Sequence, residues 1–260
     1  MDIVSMRAMI TVILMFVFLL FYDKRLLRIR IKDVWCFLGT GVCSIVFFNY
    51  CYFKAITMTS LSIASILLYT APIIVMIFSV FLFGETMTGK KLLAILLAFT
   101  GCVFVTGILS NAIAISIRGL MTGLGAGFGY ALYSIFGRYA LMRRYHSFTI
   151  ILYTFFFATI GTFLFHPMSG ALNPVHWDGS LLLFGILLSL ITTILPFLLY
   201  TFGLSYIESG KASIMASIEP VVATLIGIFL YHEKATLLQS MGVLLVISSI
   251  MILNTKERSR

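Results

Sequence analysis

Residues 200–253 read YTFGLSYIESGKASIMASIEPVVATLIGIFLYHEKATLLQSMGVLLVISSIMIL. Two apolar runs, 210–232 and 236–254, flank a short polar break, with Pro220 in the middle of the first run and Glu233 closing it. A bilayer core about 30 Å thick is crossed by roughly 20 apolar residues rising 1.5 Å each, so both runs predict transmembrane helices. Outward from this stretch, seven more such runs are found at 3–22, 34–56, 61–83, 92–109, 119–141, 148–166 and 180–206. Each is apolar on all sides, whereas barrel strands alternate over about ten residues, and the expectation is an all-α, polytopic helix bundle of nine spans. The longest connection, 166–179, reads as a surface loop anchored by Trp177 at the headgroup level.

Composition agrees. The 260 residues are 61% hydrophobic and 10% charged, with a mean hydropathy of +1.10. A soluble enzyme, a disordered tail, a disulfide-stapled module and a nucleic-acid binder are all excluded by a surface that cannot be wetted. The net charge of +9 has another origin. With the loop after the first span inside, 14 of the 18 Lys and Arg residues are cytoplasmic, leaving Arg7, Lys54, Arg118 and Lys234 on or near the other side. This bias predicts a multi-pass cell-membrane protein with a basic cytoplasmic tail at 255–260. Asp2 ahead of the first run, with no small-residue cleavage site after it, marks that run as a retained helix.

A shift of 148 residues lays 50–105 on 198–253 without a gap, and eleven of the 56 positions match. Most matches are apolar and weak, but Pro72/Pro220 and Glu85/Glu233 use rare residues at identical separation. The loop at 57–60 then falls outside and its counterpart at 207–211 inside, so the two copies are inverted. Inverted copies supply two packings of nearly equal energy, which favours alternating access over a membrane enzyme or a scaffold. The same shift carries 119–141 to positions before residue 1, so the amino-terminal copy (1–110) is expected to have four helices against five in the carboxy-terminal copy (119–254), its first helix being absent.

The quoted stretch, with its counterpart YFKAITMTSLSIASILLYTAPIIVMIFSVFLFGETMTGKKLLAILLAFTG at 52–101, resembles the EamA unit of the drug/metabolite transporter superfamily. A helix ending in an aromatic and a small residue, a short turn to Ala-Ser, a mid-helix Pro and a closing Glu carry the likeness. It implies two inverted EamA-like repeats around a central cavity and export or import of small metabolites such as amino acids. A lipid bilayer and a small-molecule metabolite are the expected partners, with a homodimer left open.

Glu219 lies near mid-membrane, where an ionised carboxylate costs on the order of 3 kcal/mol. It is the leading candidate for proton coupling or for an ammonium on the substrate, against a purely structural, hydrogen-bonded acid. Pro72 and Pro220 remove the amides that would pair with the carbonyls of Leu68 and Ala216, and Pro196 does so for Thr192, so all three predict kinks. Glu85 and Glu233 are expected to cap the helix that follows each, or to gate with Lys90, Lys91 or Lys234. Asn49, Tyr52, Tyr69, Tyr130, Tyr133 and Tyr200 offer polar tips for a cavity, Tyr130 and Tyr133 sharing one helix face. Cys36, Cys43, Cys51 and Cys102 read as small buried hydrophobes. The histidines His146, His166, His176 and His232 are dispersed, and no nucleophile stands beside a base, so no metal, cofactor or catalytic residue is expected. The rival function, a membrane enzyme or flippase acting on a lipid or isoprenoid phosphate, requires clustered His, Asp or Arg at one face. A non-transporting truncated relative is the third alternative.

Overall fold

The computed structural model describes residues 1–106, 116–165, 179–232 and 236–255, which are helical with no strand among them. Among these residues seven stretches are long and apolar enough to cross a bilayer: Asp2–Tyr22, Ile31–Met58, Leu61–Phe83, Ser147–Phe165, Gly179–Tyr206, Ser209–Tyr231 and Leu237–Asn254. Two more helices occupy the remaining apolar runs. Helix α6, Gly89–Val105, has 17 residues and so reaches about 26 Å. Helix α7, Ile117–Met142, is long enough but carries Arg118, Arg138 and six glycines. The loop around Trp177, with His166 and His176, lies outside the described residues, as do Glu233 and Lys234.

The chain folds into two compact units, Met1–Tyr50 with Leu132–Ile207, and Cys51–Ala131 with Glu208–Arg260. In the first, α1 (Asp2–Tyr22) packs along α8 (Ser147–Phe165), its counterpart under the 148-residue shift. The rings of Phe18 and Tyr22, at the end of α1, meet Phe148 at the start of α8 with centroids 5.2 and 5.7 Å apart, so the pair is antiparallel. Met15, Leu19, Ile45, Ile151 and Phe155 fill the core beside them. The second apolar run comprises α2 (Val34–Leu38), a π-helical segment (Gly39–Val46) and α3 (Phe47–Met58). Its counterpart comprises α9 (Gly179–Ser189), a π-helical segment (Leu190–Ile194) and α10 (Leu195–Tyr206). The two π segments overlap under the shift. In the second, Leu195 N–H donates to Leu190 O, five residues back, just ahead of Pro196, which has no amide to give. The expected kink at Pro196 is therefore a widened turn.

In the second unit α4 (Leu61–Leu68) and α5 (Ala71–Phe83) form one broken rod, and α11 (Ser209–Ala216) and α12 (Glu219–Tyr231) form its counterpart. α6 packs along α13 (Leu237–Asn254), again a matched pair. Lys90 Nζ, at the start of α6, donates to Thr255 O just beyond α13 at 3.4 Å, so these helices are also antiparallel. Thr88 and Thr236 cap them at matched positions, Thr236 within a capping box. Matched side chains also share an outward face: Phe81 and Phe229 are 82% and 76% exposed, as expected of groups presented to lipid rather than water. Three of the four cysteines are buried, but Cys43 is exposed, a correction to the expectation, because its π segment turns it away from the core.

Helices α5 and α12 both end on a left-handed residue, Gly84 at φ 65° and His232 at φ 55°. Glycine adopts that conformation without a Cβ penalty and histidine does not. His232→Gly should raise stability by about 1 kcal/mol, read as an upward shift in the melting temperature of the detergent-solubilised protein. An unchanged or lower value would mean that the histidine side chain has a compensating role.

Candidate functional site

The breaks in the two rods of the second unit arise from the same chemistry. After Leu68 the chain makes a turn through Tyr69 and Thr70, and α5 restarts with Pro72 in its first turn. After Ala216 it turns through Ser217 and Ile218, and α12 restarts with Pro220 in its first turn. Proline fits the first turn of a helix, where an amide would lack a partner, and forbids continuation from the preceding one. Sequence reasoning placed kinks here. The structure has a two-residue turn at each, bridged by bonds from Thr70 N to Leu67 O and from Ser217 N to Ile214 O.

A pocket lies at these breaks, lined by Leu68, Tyr69, Ala71, Pro72, Tyr130, Ser213, Ala216, Ser217 and Glu219. Three repeat-related pairs line it together: Leu68 with Ala216, Tyr69 with Ser217, and Ala71 with Glu219. The pocket therefore sits at the point where the two rods cross as mirror partners in sequence. Its volume of about 10 Å³ admits one water or one ammonium group and no whole metabolite. Glu219 is the first residue of α12, ten residues or about 15 Å from the start of α11, halfway along the rod. Tyr69 packs against the cluster of Cys102, Val221 and Val246, which forms an apolar backing. A carboxylate, two tyrosines, two serines and carbonyls relieved of their helical partners form a lining suited to a cationic group.

The other candidates separate. Asn49 is buried and donates to Ile45 O of its own rod at 2.8 Å, and Tyr52 OH lies 3.0 Å from Ser65 Oγ. Tyr133 and Tyr200 belong to the first unit, their hydroxyls 2.6 Å from Thr201 Oγ1 and Ser134 Oγ respectively. The tyrosines at 130 and 133, taken as neighbours on one face, are divided between the two units because α7 passes from one to the other after Ala131. Of the six polar tips, Tyr69 and Tyr130 line the pocket. Ser213 and Ser217 were missed. Ser213 matches Ser65 in the repeat, a signal that pointed to it.

Glu85 follows the left-handed turn at Gly84 and is buried, 8% exposed. It does not cap the helix that follows it, whose first turn is served by Thr88 Oγ1. Instead Oε1 accepts from Ser209 N at 2.7 Å and Oε2 from Gly210 N at 3.1 Å, so it caps α11, a helix of the other repeat. The end of α5 thus meets the start of α11, which makes the two rods antiparallel, like the α1–α8 and α6–α13 pairs. Beside it Lys91, 3% exposed, bonds Glu208 Oε2 and Thr86 O, both at 2.6 Å, while Lys211 reaches the same carboxyl at 3.3 Å. Although burial pushes the Glu208 carboxyl up, these two ammonium groups together hold it below the usual carboxylate range. At the opposite end of the unit, α4 is capped locally by Ser60 Oγ, which accepts from Ile63 N at 3.2 Å. Among the described residues α11 and α5 pack closely, and their repeat-related pair, α4 and α12, do not.

Antiparallel helical rods interrupted at a shared polar pocket are a construction used by secondary carriers. The comparisons agree. The model of the EamA-like transporter family matches residues 1–107 and 117–255. An uncharacterized transporter of Archaeoglobus fulgidus is 30% identical over 77% of this chain and 70% of its own length. The uncharacterized transporter YvbV of Bacillus subtilis is 24% identical over 91% of this chain and 77% of its own. The threonine/homoserine exporter RhtA of Escherichia coli is 24% identical over 82% of this chain and 69% of its own. One solved crystal structure superposes with a TM-score of 0.78 at 17% identity, covering 97% of this chain and 86% of that one, which shows the fold. The chain belongs to the EamA-like transporter family and is a multi-span membrane protein.

Proposed function

We propose that the chain is a secondary carrier that exports small organic metabolites, amino acids or related compounds among them, by alternating access between two inverted repeats, 1–110 and 119–254. In this reading the chain crosses the membrane nine times, α6 and α7 included, and its basic tail is cytoplasmic. The observation that carries the proposal is the pocket at the paired helix breaks, in rods that the Glu85 bridge to α11 ties together at one end. The name of the RhtA relative supports an amino acid as cargo. Glu219 is the group that takes the cargo's ammonium or the coupling proton.

The test is counterflow of radiolabelled amino acids into proteoliposomes that hold the purified protein. Glu219→Gln should lower the initial rate at least about tenfold and abolish its dependence on pH, as loss of one charge-assisted contact implies. A rate and pH profile equal to those of the wild type would remove Glu219 from the mechanism.

A further inference from the structure

Arg7 sits five residues into α1 and is only partly exposed. Its Nη1 donates to Thr192 Oγ1 at 3.3 Å, and its Nε is buried without a hydrogen-bond partner. Among the described residues no carboxylate lies within ion-pair distance of it. Thr192 is at the middle of the 28-residue stretch Gly179–Tyr206, in the widened turn, so the guanidinium is directed into the span rather than toward its end. Snorkelling to the headgroups does not describe that contact.

Thr192 Oγ1 gives its own proton to Leu188 O at 2.7 Å and so serves Arg7 as an acceptor, while two further hydroxyls of the same unit are unused. Thr11, one turn further along α1, and Thr193, next to Thr192, are 0% exposed and their Oγ1 atoms have no partner. Ser189 Oγ reaches the backbone oxygen of Arg7 at 3.5 Å. The fold itself does not call for a charge here: the residue that matches Arg7 under the 148-residue shift is Phe155 of α8, which packs into the core of the same unit. A cation in an apolar span with spare donors is expensive unless an anion completes it.

We infer that Arg7, positioned by Thr192, is an anion site for a carboxylate, which on the transport reading above is the carboxylate of the carried metabolite. A free inorganic anion offers the same chemistry, so the test separates the two. Thermal unfolding of the purified protein in detergent is followed at constant ionic strength while sodium acetate, sodium phosphate or sodium chloride is varied. Acetate should stabilise the wild type at lower concentration than chloride or phosphate. The acetate midpoint should rise at least about tenfold in Arg7→Gln, and by a smaller factor in Arg7→Lys and Thr192→Val, since a lysine retains the charge without the planar fork.

Equal response to all three anions, a stronger response to phosphate or chloride, or an acetate midpoint unchanged in Arg7→Gln would overturn the assignment. If Arg7→Gln does not fold, Thr192→Val and Arg7→Lys decide, and unchanged midpoints in both count against it. Acetate binding is read without any transport step, so a failure of the carrier hypothesis at Glu219 leaves this titration interpretable.

Discussion

With alanine at position 85, the backbone amides of Ser209 and Gly210 should exchange with deuterated solvent at least about thirtyfold faster than in the wild type. The reasoning starts from the two bonds of 2.7 and 3.1 Å that one carboxylate makes to the first turn of α11. Bonds to a charged acceptor contribute about 1.5–3 kcal/mol each, and the loss of a cap alone costs about 0.5–2 kcal/mol, so about 2 kcal/mol is a low estimate for the pair. Gly210 is required by the same contact: a Cβ there would lie 2.6 Å from Met76 Cε and 3.3 Å from Glu85 Oε2. The Lys91–Glu208 pair remains in the variant and limits the effect. Ser60→Ala, which removes a cap made within one repeat, should leave exchange at 209 and 210 unchanged. Wild-type exchange rates in Glu85→Ala would show that the bridge does not hold this end closed.

The second large effect is steric. At the crossing of α6 and α13, a Cβ on Gly101 would lie 2.7 Å from Val246 Cγ2 and 2.9 Å from Gly242 O, and one on Gly242 would lie 2.7 Å from Gly101 O. Two of these contacts are to backbone, which cannot rotate away, so any side chain forces the helices apart along their whole interface. Gly101→Leu should destabilise the protein by about 3 kcal/mol or more, the upper range for overpacking, and should also disturb Cys102 and Val246 behind the pocket. Gly203→Ala is the control, because nothing lies within 4 Å of its added Cβ. Alanine in a helix interior there should be neutral or stabilising by up to about 1 kcal/mol. Similar melting temperatures for Gly101→Leu and wild type would contradict the packing described.

Hydropathy made the helical rods visible because each bilayer crossing requires a run of apolar residues, and the match of Pro72 with Pro220 marks the two positions at which α5 and α12 restart. The division of α7 between two units left no mark in its sequence, so Tyr130 and Tyr133 were grouped by helical spacing although only Tyr130 lines the pocket. Glu85 was recognised as a cap, but its partner is 124 residues away, and local rules of capping see only the following helix. Arg7 read as a charge near a span end, since sequence shows a residue's depth along its own helix and not the direction of its side chain.

Alternating access requires that the pocket be reached from one side of the membrane at a time, and the Glu85 bridge is proposed to hold its own side shut. A cysteine at position 216, in a chain whose four native cysteines are replaced by serine, can be labelled with a membrane-impermeant thiol reagent added to either side of sealed vesicles. Labelling from the side opposite Glu85 only, with access from the Glu85 side gained in Glu85→Ala, is the predicted result. Equal labelling from both sides of the wild type, or from the Glu85 side alone, would contradict it.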